Sequence, residues 1–294
     1  MALAHHLRRM KQFCVKRLAF GVRSSFDTRR NAAIGQTLNA KRQALNFSCT
    51  RHGLPALLAC LLLAGAQAAP LSAAGTAEPA RVARARGNHG QAVAHMLAAH
   101  DIAPERLELF LRAFKKEAAL EVWGRNHGDA RFVLLKTYPI CAASGALGPK
   151  RRVGDGQVPE GFYIIDRFNP YSSYHLSLGL NYPNAQDRQR AAAAGIGNPG
   201  GDIFIHGDCV SIGCLAMGDA AIEEIYLLAL AAKSAAARHG NRRIAVHIFP
   251  RRLDPAELAN LEHSAPDRAT LAFWRALQPA YENFERTHDL PTVR

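Results

Sequence analysis

The sequence predicts an α+β fold in which helices flank an antiparallel or mixed β-sheet. Short segments rich in aromatic, β-branched and leucine residues recur between loops rich in glycine, proline and asparagine, which is typical of strands. Apolar residues at helical spacing appear between the last two of these segments and again after them. Together these two observations predict the α+β class. The strand candidates are 120–123, 131–135, 161–167, 174–180, 202–206 and 243–249.

The chain ahead of the first strand candidate is predicted to be a linker followed by helices. Residues 70–90 contain few bulky apolar side chains, as expected of a linker. From about residue 92 to 120, apolar side chains recur at helical spacing and predict one or two short helices. The side chains that carry this prediction are Leu107, Phe110, Leu111 and Phe114.

The remaining elements have clear local signals. The first two strand candidates flank Asn126-His127-Gly128-Asp129, which predicts a β-hairpin. A long helix is predicted from Asp219, as its N-cap, to Gly240 as its stop. Two more helices are predicted near the end of the chain, one opened by Asp254-Pro255 and one over about 265–286.

Composition places the protein among globular chains and limits its partners. The 294 residues are 48% hydrophobic and 21% charged, which excludes wholesale disorder. Of the net charge of +13, most lies in residues 1–51, which hold 11 Lys and Arg residues against one acidic residue, Asp27. The remainder is nearly balanced, with 26 basic and 23 acidic residues, so no nucleic-acid partner is expected.

An apolar run near the N-terminus predicts export. Leu54 to Ala66 is too short to span a bilayer but has the length of a secretory apolar region, and it follows Arg51. The small residues of Ala66-Gln67-Ala68 suit signal-peptidase cleavage. We therefore expect a signal peptide over about 51–68, a periplasmic or exported mature protein, and no transmembrane anchor. The alternative is a buried core helix.

Export would leave an odd number of cysteines. Only Cys141, Cys209 and Cys214 remain after residue 68, so at least one thiol stays free or finds an external partner. Cys209 has three open interpretations: a disulfide with Cys141, a resolving thiol, or a buried free cysteine. An unpaired thiol suits a reactive cysteine.

The densest set of reactive side chains lies at residues 206–217, between the strand candidate 202–206 and the helix at Asp219. Cys214 is the candidate nucleophile and His206 its base. Gly207 and Gly213 allow sharp turns that bring backbone N–H groups to a reacting carbonyl, as an oxyanion site requires. If the cysteine lies near the start of that helix, the helix dipole and the imidazole favour its thiolate.

The segment Ser211-Ile212-Gly213-Cys214-Leu215-Ala216-Met217 resembles the Ser-x-Gly-Cys-x-x-Met signature of the L,D-transpeptidases of the YkuD type, and His206-Gly207 resembles the His-Gly that precedes it. Residues 144–163 resemble the substrate-side hairpin of that family. The resemblance covers roughly 122–249. It implies a mixed β-sandwich-like catalytic domain with flanking helices and a chemistry that needs no cofactor.

The chain departs from the commonest family pattern at three points. Ile212 stands where most members have a second histidine, Ala216 stands where most have arginine, and the His206-to-Cys214 spacing of eight is shorter than usual. These features resemble the YafK-like subgroup. They leave the acceptor, and the choice between transpeptidase and amidase, open.

The resemblance implies that Cys214 attacks the carbonyl between meso-diaminopimelate and D-alanine in a peptidoglycan stem peptide and forms a thioester. His206 takes the thiol proton and returns it to the leaving amine, while N–H groups around Gly213 and Cys214 hold the oxyanion. An amine acceptor then yields a cross-link or an attached outer-membrane lipoprotein, whereas water yields hydrolysis.

The composition of the chain and the resemblance together predict four segments. They are a basic extension with a signal peptide (1–68), a linker with short helices (69–118), the L,D-transpeptidase-like domain (119–250) and C-terminal helices (251–294).

Several other side chains are predicted to support the site or the substrate, and for each a purely structural role is the alternative. Ser211 either braces the loop or is a turn serine. Tyr174 and His175, predicted to lie on a strand, border the cleft as substrate-binding candidates or simply pack. The Lys150-Arg151-Arg152 run attracts stem-peptide carboxylates or is a solvated loop.

Two rival functions remain at this point. The first is a zinc enzyme, because ligand-type side chains occur at His206, Cys209, Cys214 and His247, although their spacing matches no closed four-ligand site. The second is a non-catalytic wall-binding module, against which the retained cysteine and histidine argue.

Overall fold

A computed structural model describes residues 78–240 and 243–290. The predicted signal peptide and basic extension lie outside these described residues. The elements, in chain order, are α1 (Ala80–Ala98), a short 3-10 helix (Pro104–Arg106), β1 (Leu107–Phe114), β2 (Ala119–Asn126), β3 (Val133–Pro139), β4 (Ala142–Ala143), β5 (Gly161–Asn169), β6 (Ser177–Leu180), α2 (Ala185–Ala193), β7 (Phe204–His206), β8 (Leu215–Ala216), α3 (Asp219–His239), β9 (Ala245–Phe249), α4 (Pro255–Ser264) and α5 (Arg268–Thr287).

The strands form one mixed sheet in the order β3-β2-β1-β9-β5-β6-β7-β8-β4. The β1–β9 and β7–β8 pairs are parallel, and the other neighbouring pairs are antiparallel. Helices accompany the sheet rather than alternate with every strand. The predicted α+β class is therefore confirmed.

The hairpin and most strands lie where the sequence predicts them. β2 and β3 pair antiparallel, with a register shift between Val122 and Trp123. β5, β7 and β9 fall on their candidates to within two residues. Strong local signals, namely apolar runs bounded by turn residues, explain this agreement.

The helices predicted before residue 120 are wrong in position. Leu107, Phe110, Leu111 and Phe114 lie on β1, in which seven of the eight residues are buried. β1 pairs with β2 on one side and β9 on the other, and both of its faces are covered by side chains of the core. A strand buried on both faces carries no polar alternation, so its apolar residues can mimic helical spacing.

The predicted linker is also wrong over its second half, because α1 begins at Ala80. Its buried face consists of Val82, Ala85, Val93 and Leu97. These side chains are mostly small, so the segment lacks the bulky apolar residues that usually announce a helix. The division of the chain at residues 68, 118 and 250 stays a prediction.

The long helix α3 ends before Gly240, as predicted, and begins at Asp219. The cap prediction is wrong, because Gly218 is the N-cap and Asp219 is the first helical residue. The Asp219 carboxylate instead accepts a hydrogen bond from the backbone N–H of Asp208 at 2.7 Å. The helix start is thereby tied to the loop that carries the candidate site.

The C-terminal helices α4 and α5 begin at the predicted places, each with an aspartate N-cap, at Asp254 and Asp267. α5 also supports the loop that precedes β5. Its Trp274 Nε1 donates to Glu160 Oε2 at 2.7 Å, and Glu160 Oε1 accepts from the Gly148 backbone at 2.7 Å. This loop is one wall of the candidate site.

Candidate active site

His206 lies at the end of β7, and Cys214 lies directly before β8, the parallel neighbour of β7. His206, the last residue of β7, is in register with Ala216 of β8. Cys214 stands two residues before Ala216, in the bend that leads into β8. The backbone N–H of Phe204, two residues before His206, also hydrogen-bonds to the cysteine sulfur. The structure therefore brings the segments that carry Cys214 and His206 next to each other.

Cys214 carries a free thiol that is only partly exposed. Its Sγ lies 3.7 Å from the carbonyl oxygen of Asp202, to which the thiol donates. Burial raises the pKa of this thiol above its ordinary value, against smaller opposite effects of the Phe204 backbone and Lys150. The thiol is therefore expected to be protonated at neutral pH in the resting site, because burial outweighs the effects of the Phe204 backbone and Lys150, which goes against the expected thiolate.

His206 is buried, with 2% of its surface exposed. Its Nδ1 lies 2.5 Å from the carbonyl oxygen of Gly207, which can only accept, so Nδ1 carries the proton. Burial lowers the pKa of the imidazole below 6.5, although the Gly207 bond and Asp208 act in the opposite direction. The ring is consequently neutral at neutral pH, with Nε2 unprotonated and available as a base.

Both glycines predicted to shape the loop are required by close approach. A Cβ on Gly207 would lie 2.6 Å from Asp219 Oδ1 and 2.9 Å from the Cβ of His175. Gly213 has φ +134°, and its Cβ would lie 3.2 Å from the carbonyl oxygen of Gln157. A larger residue would displace the chain at either position.

Ser211 braces the loop through three hydrogen bonds. Its Oγ accepts from the backbone N–H groups of Gly213 at 3.2 Å and Cys214 at 3.0 Å, and it donates to the Cys214 carbonyl at 2.7 Å. The N–H groups expected to hold an oxyanion are thus occupied by a hydroxyl in this state. Sequence reasoning missed this; the signal was a serine two and three residues before them, a spacing at which serine commonly binds the backbone.

A disulfide joins Cys141 to Cys209, with a Cα–Cα distance of 5.4 Å, which decides among the three interpretations of Cys209. Cys209 lies in the loop between His206 and Cys214, and both bridged residues are exposed. On the other side of Cys214, the Cys141 backbone N–H donates to the Ala216 carbonyl at 2.8 Å. The bridge and this bond together hold the loop against the segment around β4.

Comparison with known proteins shows the family of this chain. Residues 115–238 match the family model of the L,D-transpeptidase catalytic domain (YkuD). The candidate L,D-transpeptidase YafK of Escherichia coli K12 is 36% identical over 187 residues, which cover 63% of this chain and 70% of that protein. The chain belongs to the L,D-transpeptidase family. The same values hold for YafK of Escherichia coli O157:H7.

Two solved structures are more distantly similar to this L,D-transpeptidase family member. The helical cell shape determining protein Pgp2 of Campylobacter jejuni is 18% identical, with a TM-score of 0.38 over 62% of this chain and 71% of that one. Bd1075 of Bdellovibrio bacteriovorus is 20% identical, with a TM-score of 0.32 over 61% of this chain and 60% of that one. At these scores the similarity supports no further conclusion.

Tyr174 and His175 do not lie on a strand, contrary to the prediction, because β6 begins only at Ser177. They belong to a turn before it. The Tyr174 ring lies 4.8 Å from the His206 ring and is 37% exposed, so it reaches both the histidine and solvent. The His175 ring instead points to Glu223 of α3, with Nε2 2.7 Å from Oε1. Glu223 was not identified from the sequence.

The solvated-loop interpretation fails for Lys150. Its ammonium is buried and paired with Asp155 Oδ1 at 2.5 Å, and it also donates to the Arg152 carbonyl at 3.0 Å. Its positive charge reaches Cys214, where it lowers the pKa of the thiol slightly against the effect of burial. Arg151 and Arg152, by contrast, are exposed.

The zinc interpretation loses two of its four ligands. Cys209 is bonded to Cys141. His247 lies within β9, packed 4.7 Å from the Phe110 ring and 4.6 Å from the Phe162 ring, and burial lowers its pKa to about 3. Across residues 78–240 and 243–290, no group of three histidine, cysteine, aspartate or glutamate side chains is arranged to bind a metal. Over the same residues, no helix is both long and apolar enough to cross a bilayer.

Proposed function

We propose that the protein is an exported cysteine L,D-transpeptidase that acts on peptidoglycan stem peptides through a thioester on Cys214. The observation that carries the proposal is that a free thiol directly before β8 accompanies a neutral, oriented imidazole at the end of β7, the parallel neighbour of β8, inside the family signature. No cofactor takes part in the proposed chemistry.

The protonation states support a general-base route rather than a preformed ion pair. The Cys214 sulfur attacks the carbonyl carbon of the bond between diaminopimelate and D-alanine while its proton passes to His206 Nε2. The proton then moves to the leaving nitrogen as the C–N bond breaks, which yields a thioester and free D-alanine. An acceptor amine attacks the thioester carbonyl and loses its proton to His206. The new amide C–N bond forms as the C–S bond breaks, and His206 returns the proton to the Cys214 sulfur, which restores the thiol.

The oxyanion of each tetrahedral intermediate needs donors at the nucleophile. The candidate donors are the N–H group of the nucleophile Cys214 and that of the preceding residue, Gly213. The Ser211 hydroxyl holds both in position. Because a charged oxygen accepts hydrogen bonds more strongly than a hydroxyl, the oxyanion can displace Ser211 from one or both of them. Ser211 then serves as a placeholder that keeps both donors oriented.

The rim of the site supports a peptide substrate. Ile212 is 65% exposed beside the nucleophile, and Tyr174 is 37% exposed beside the base. Exposed apolar and aromatic side chains flanking a nucleophile suit the side chains and backbone of a bound stem peptide. We assign Tyr174 to substrate contact, whereas His175, whose ring is engaged by Glu223, supports the turn.

The acceptor is proposed to be an amine of a second stem peptide or of an outer-membrane lipoprotein, in the periplasm. Attack by water in its place would make the enzyme an amidase. These outcomes share the thioester and differ only in the second half of the reaction.

The test is incubation of the protein from Ala69 onward with purified muropeptides, followed by mass spectrometry of products and protein. Cys214→Ala and His206→Gln are compared with Cys214→Ser, which keeps a weaker nucleophile of similar size. We expect a peptide adduct on Cys214 and cross-linked products, both absent from Cys214→Ala. Cleaved products alone would establish the amidase. Neither adduct nor turnover on any wall peptide would overturn the proposal.

A further inference from the structure

A turn formed by residues 172–175 packs directly on the catalytic histidine. The Tyr174 ring lies 4.8 Å from the His206 ring at an interplanar angle of 35°. The Tyr174 carbonyl oxygen and the His175 Cβ stand 3.0 and 2.9 Å from the position that a Cβ on Gly207 would take. Since the Gly207 carbonyl accepts the His206 Nδ1 proton, the turn contacts both the ring and the backbone that orients it.

The turn needs external support. His175 has φ +65°, a left-handed conformation that residues other than glycine keep only where their surroundings hold them. Within the turn, the Tyr174 backbone N–H donates to the Ser172 hydroxyl at 3.1 Å. This bond leaves the carbonyl groups of Ser172 and His175 without a partner inside the turn.

Arg81 of α1 supplies that support. Its Nη1 donates to the His175 carbonyl at 2.7 Å and to the Ser172 carbonyl. Both ends of the turn are therefore held by one guanidinium, whose rigid planar geometry suits simultaneous bonds better than a flexible ammonium does. Two further contacts reach the same region from α1 and α3, since Glu223 accepts from Asn88 at 3.1 Å and contacts His175 at 2.7 Å.

Helix α1 spans Ala80–Ala98 and thus precedes residues 115–238, which match the catalytic-domain model. We propose that Arg81 is a positioning residue for His206, acting from outside the matched domain by fixing the 172–175 turn against the imidazole. Its catalytic consequence rests on the proposed function, whereas its structural consequence does not. In this proposal α1 is part of the active site, because its Arg81 orients His206 through the 172–175 turn.

The chain offers a matched control on the same helix. Arg84 is exposed and makes no hydrogen bond or ion pair with any residue that the structure describes. Arg81→Met and Arg84→Met remove the same charge from the same helix, but only the first removes the contact with the turn. Arg81→Lys keeps the charge and can reach one carbonyl, so it tests for partial rescue.

The first measurement is the NMR signal of the His206 imidazole, assigned with His206→Gln. Because the Tyr174 ring shifts this signal, we expect it to move in Arg81→Met, to move less in Arg81→Lys, and to stay unchanged in Arg84→Met. In the transfer assay, Arg81→Met should lower kcat by roughly tenfold or more, as expected for a displaced base, and should also raise KM for the donor, because Tyr174 of the same turn is assigned to substrate contact.

The inference is overturned if the His206 signal of Arg81→Met coincides with that of Arg84→Met. It is also overturned if the loss of kcat in Arg81→Met only parallels a loss of melting temperature and Arg81→Lys restores no part of kcat. Should the unmodified protein show no turnover on wall peptides, the proposed function fails, and the NMR comparison still decides whether Arg81 positions His206.

Discussion

The hydroxyl of Ser211 is hydrogen-bonded to both backbone ends of Cys214, since it accepts from the N–H at 3.0 Å and donates to the carbonyl at 2.7 Å. The same oxygen accepts from the Gly213 N–H at 3.2 Å. One side chain therefore fixes the conformation of the nucleophile and holds the donors that the oxyanion would need.

Ser211→Ala removes all three bonds without adding bulk. Because the loop N–H groups then lose a partner, we expect the free energy of unfolding to fall by about 1–2 kcal/mol. Thioester formation, measured in a single turnover by mass spectrometry, should slow as well. Ser144→Ala is the control, since its Oγ lies 3.4 Å from that of Ser211 and contributes little. Faster acylation in Ser211→Ala would mean that the serine blocks the donors rather than orients them.

Gly207→Ala should damage both stability and catalysis. The new methyl group would lie 2.6 Å from Asp219 Oδ1, so the start of α3 and the 172–175 turn must both move. Overpacking of this kind costs about 1–3 kcal/mol of unfolding free energy, measured by denaturant titration. Gly201→Ala is the matched control, because nothing lies within 4 Å of its added Cβ. Equal behaviour of the two variants would contradict the close approach at Gly207.

The pH dependence follows from the shifted pKa values of the pair. His206 must be neutral to accept a proton, and burial lowers its pKa below 6.5, so acylation should keep more than half of its plateau rate at pH 6.5 and fall further at lower pH. Burial raises the pKa of the Cys214 thiol, so its alkylation by iodoacetamide should still be rising at pH 9.0.

The alkylation profile separates two mechanisms. If alkylation is already maximal at pH 7 in the unmodified protein and becomes slow in His206→Gln, the resting site is a thiolate–imidazolium pair, and the general-base route is wrong. If the alkylation profile has the same midpoint pH in His206→Gln as in the unmodified protein, Cys214 and His206 titrate independently and are both neutral in the resting site.

The disulfide should contribute to stability and to the shape of the catalytic loop. It closes a loop across a sequence separation of 68 residues, for which chain entropy predicts a stabilisation of about 4 kcal/mol. We expect a reductant to lower the denaturation midpoint and to slow transfer, because Cys209 lies between His206 and Cys214. The double variant Cys141→Ser/Cys209→Ser should behave like the reduced protein and ignore reductant. If a reductant changes neither the denaturation midpoint nor the rate of transfer, the disulfide does not have this role in stability and loop shape.

Local signals explain which parts of the fold were predictable. The β2–β3 hairpin, the C-terminal end of α3 and the starts of α4 and α5 depend on turn residues, caps and apolar runs within a few positions of each other, and they were found. β1 was not, because its burial on both faces comes from β2, β9 and the helices around them, which are distant in sequence. α1 was missed for a related reason, since its small buried side chains matter only where they pack.

The same distinction holds within the site. His206, Ser211, Gly213 and Cys214 lie within nine consecutive residues, so sequence alone could nominate them. Other features depend on segments that meet only in the folded chain. They are the burial of Lys150, the position of Tyr174 and His175 in a turn before β6, and the contact of Arg81 with that turn.

The sequence by itself determined the class of fold, the family signature and the candidate nucleophile and base, because these depend on residue type and short-range spacing. Only the tertiary structure decided that the thiol is protonated, that Ser211 occupies the backbone donors, that Cys209 is bonded to Cys141, and that α1 supports the histidine. The physical reason is that desolvation and hydrogen-bond partners are properties of an environment, and this environment is assembled from parts of the chain far apart in sequence.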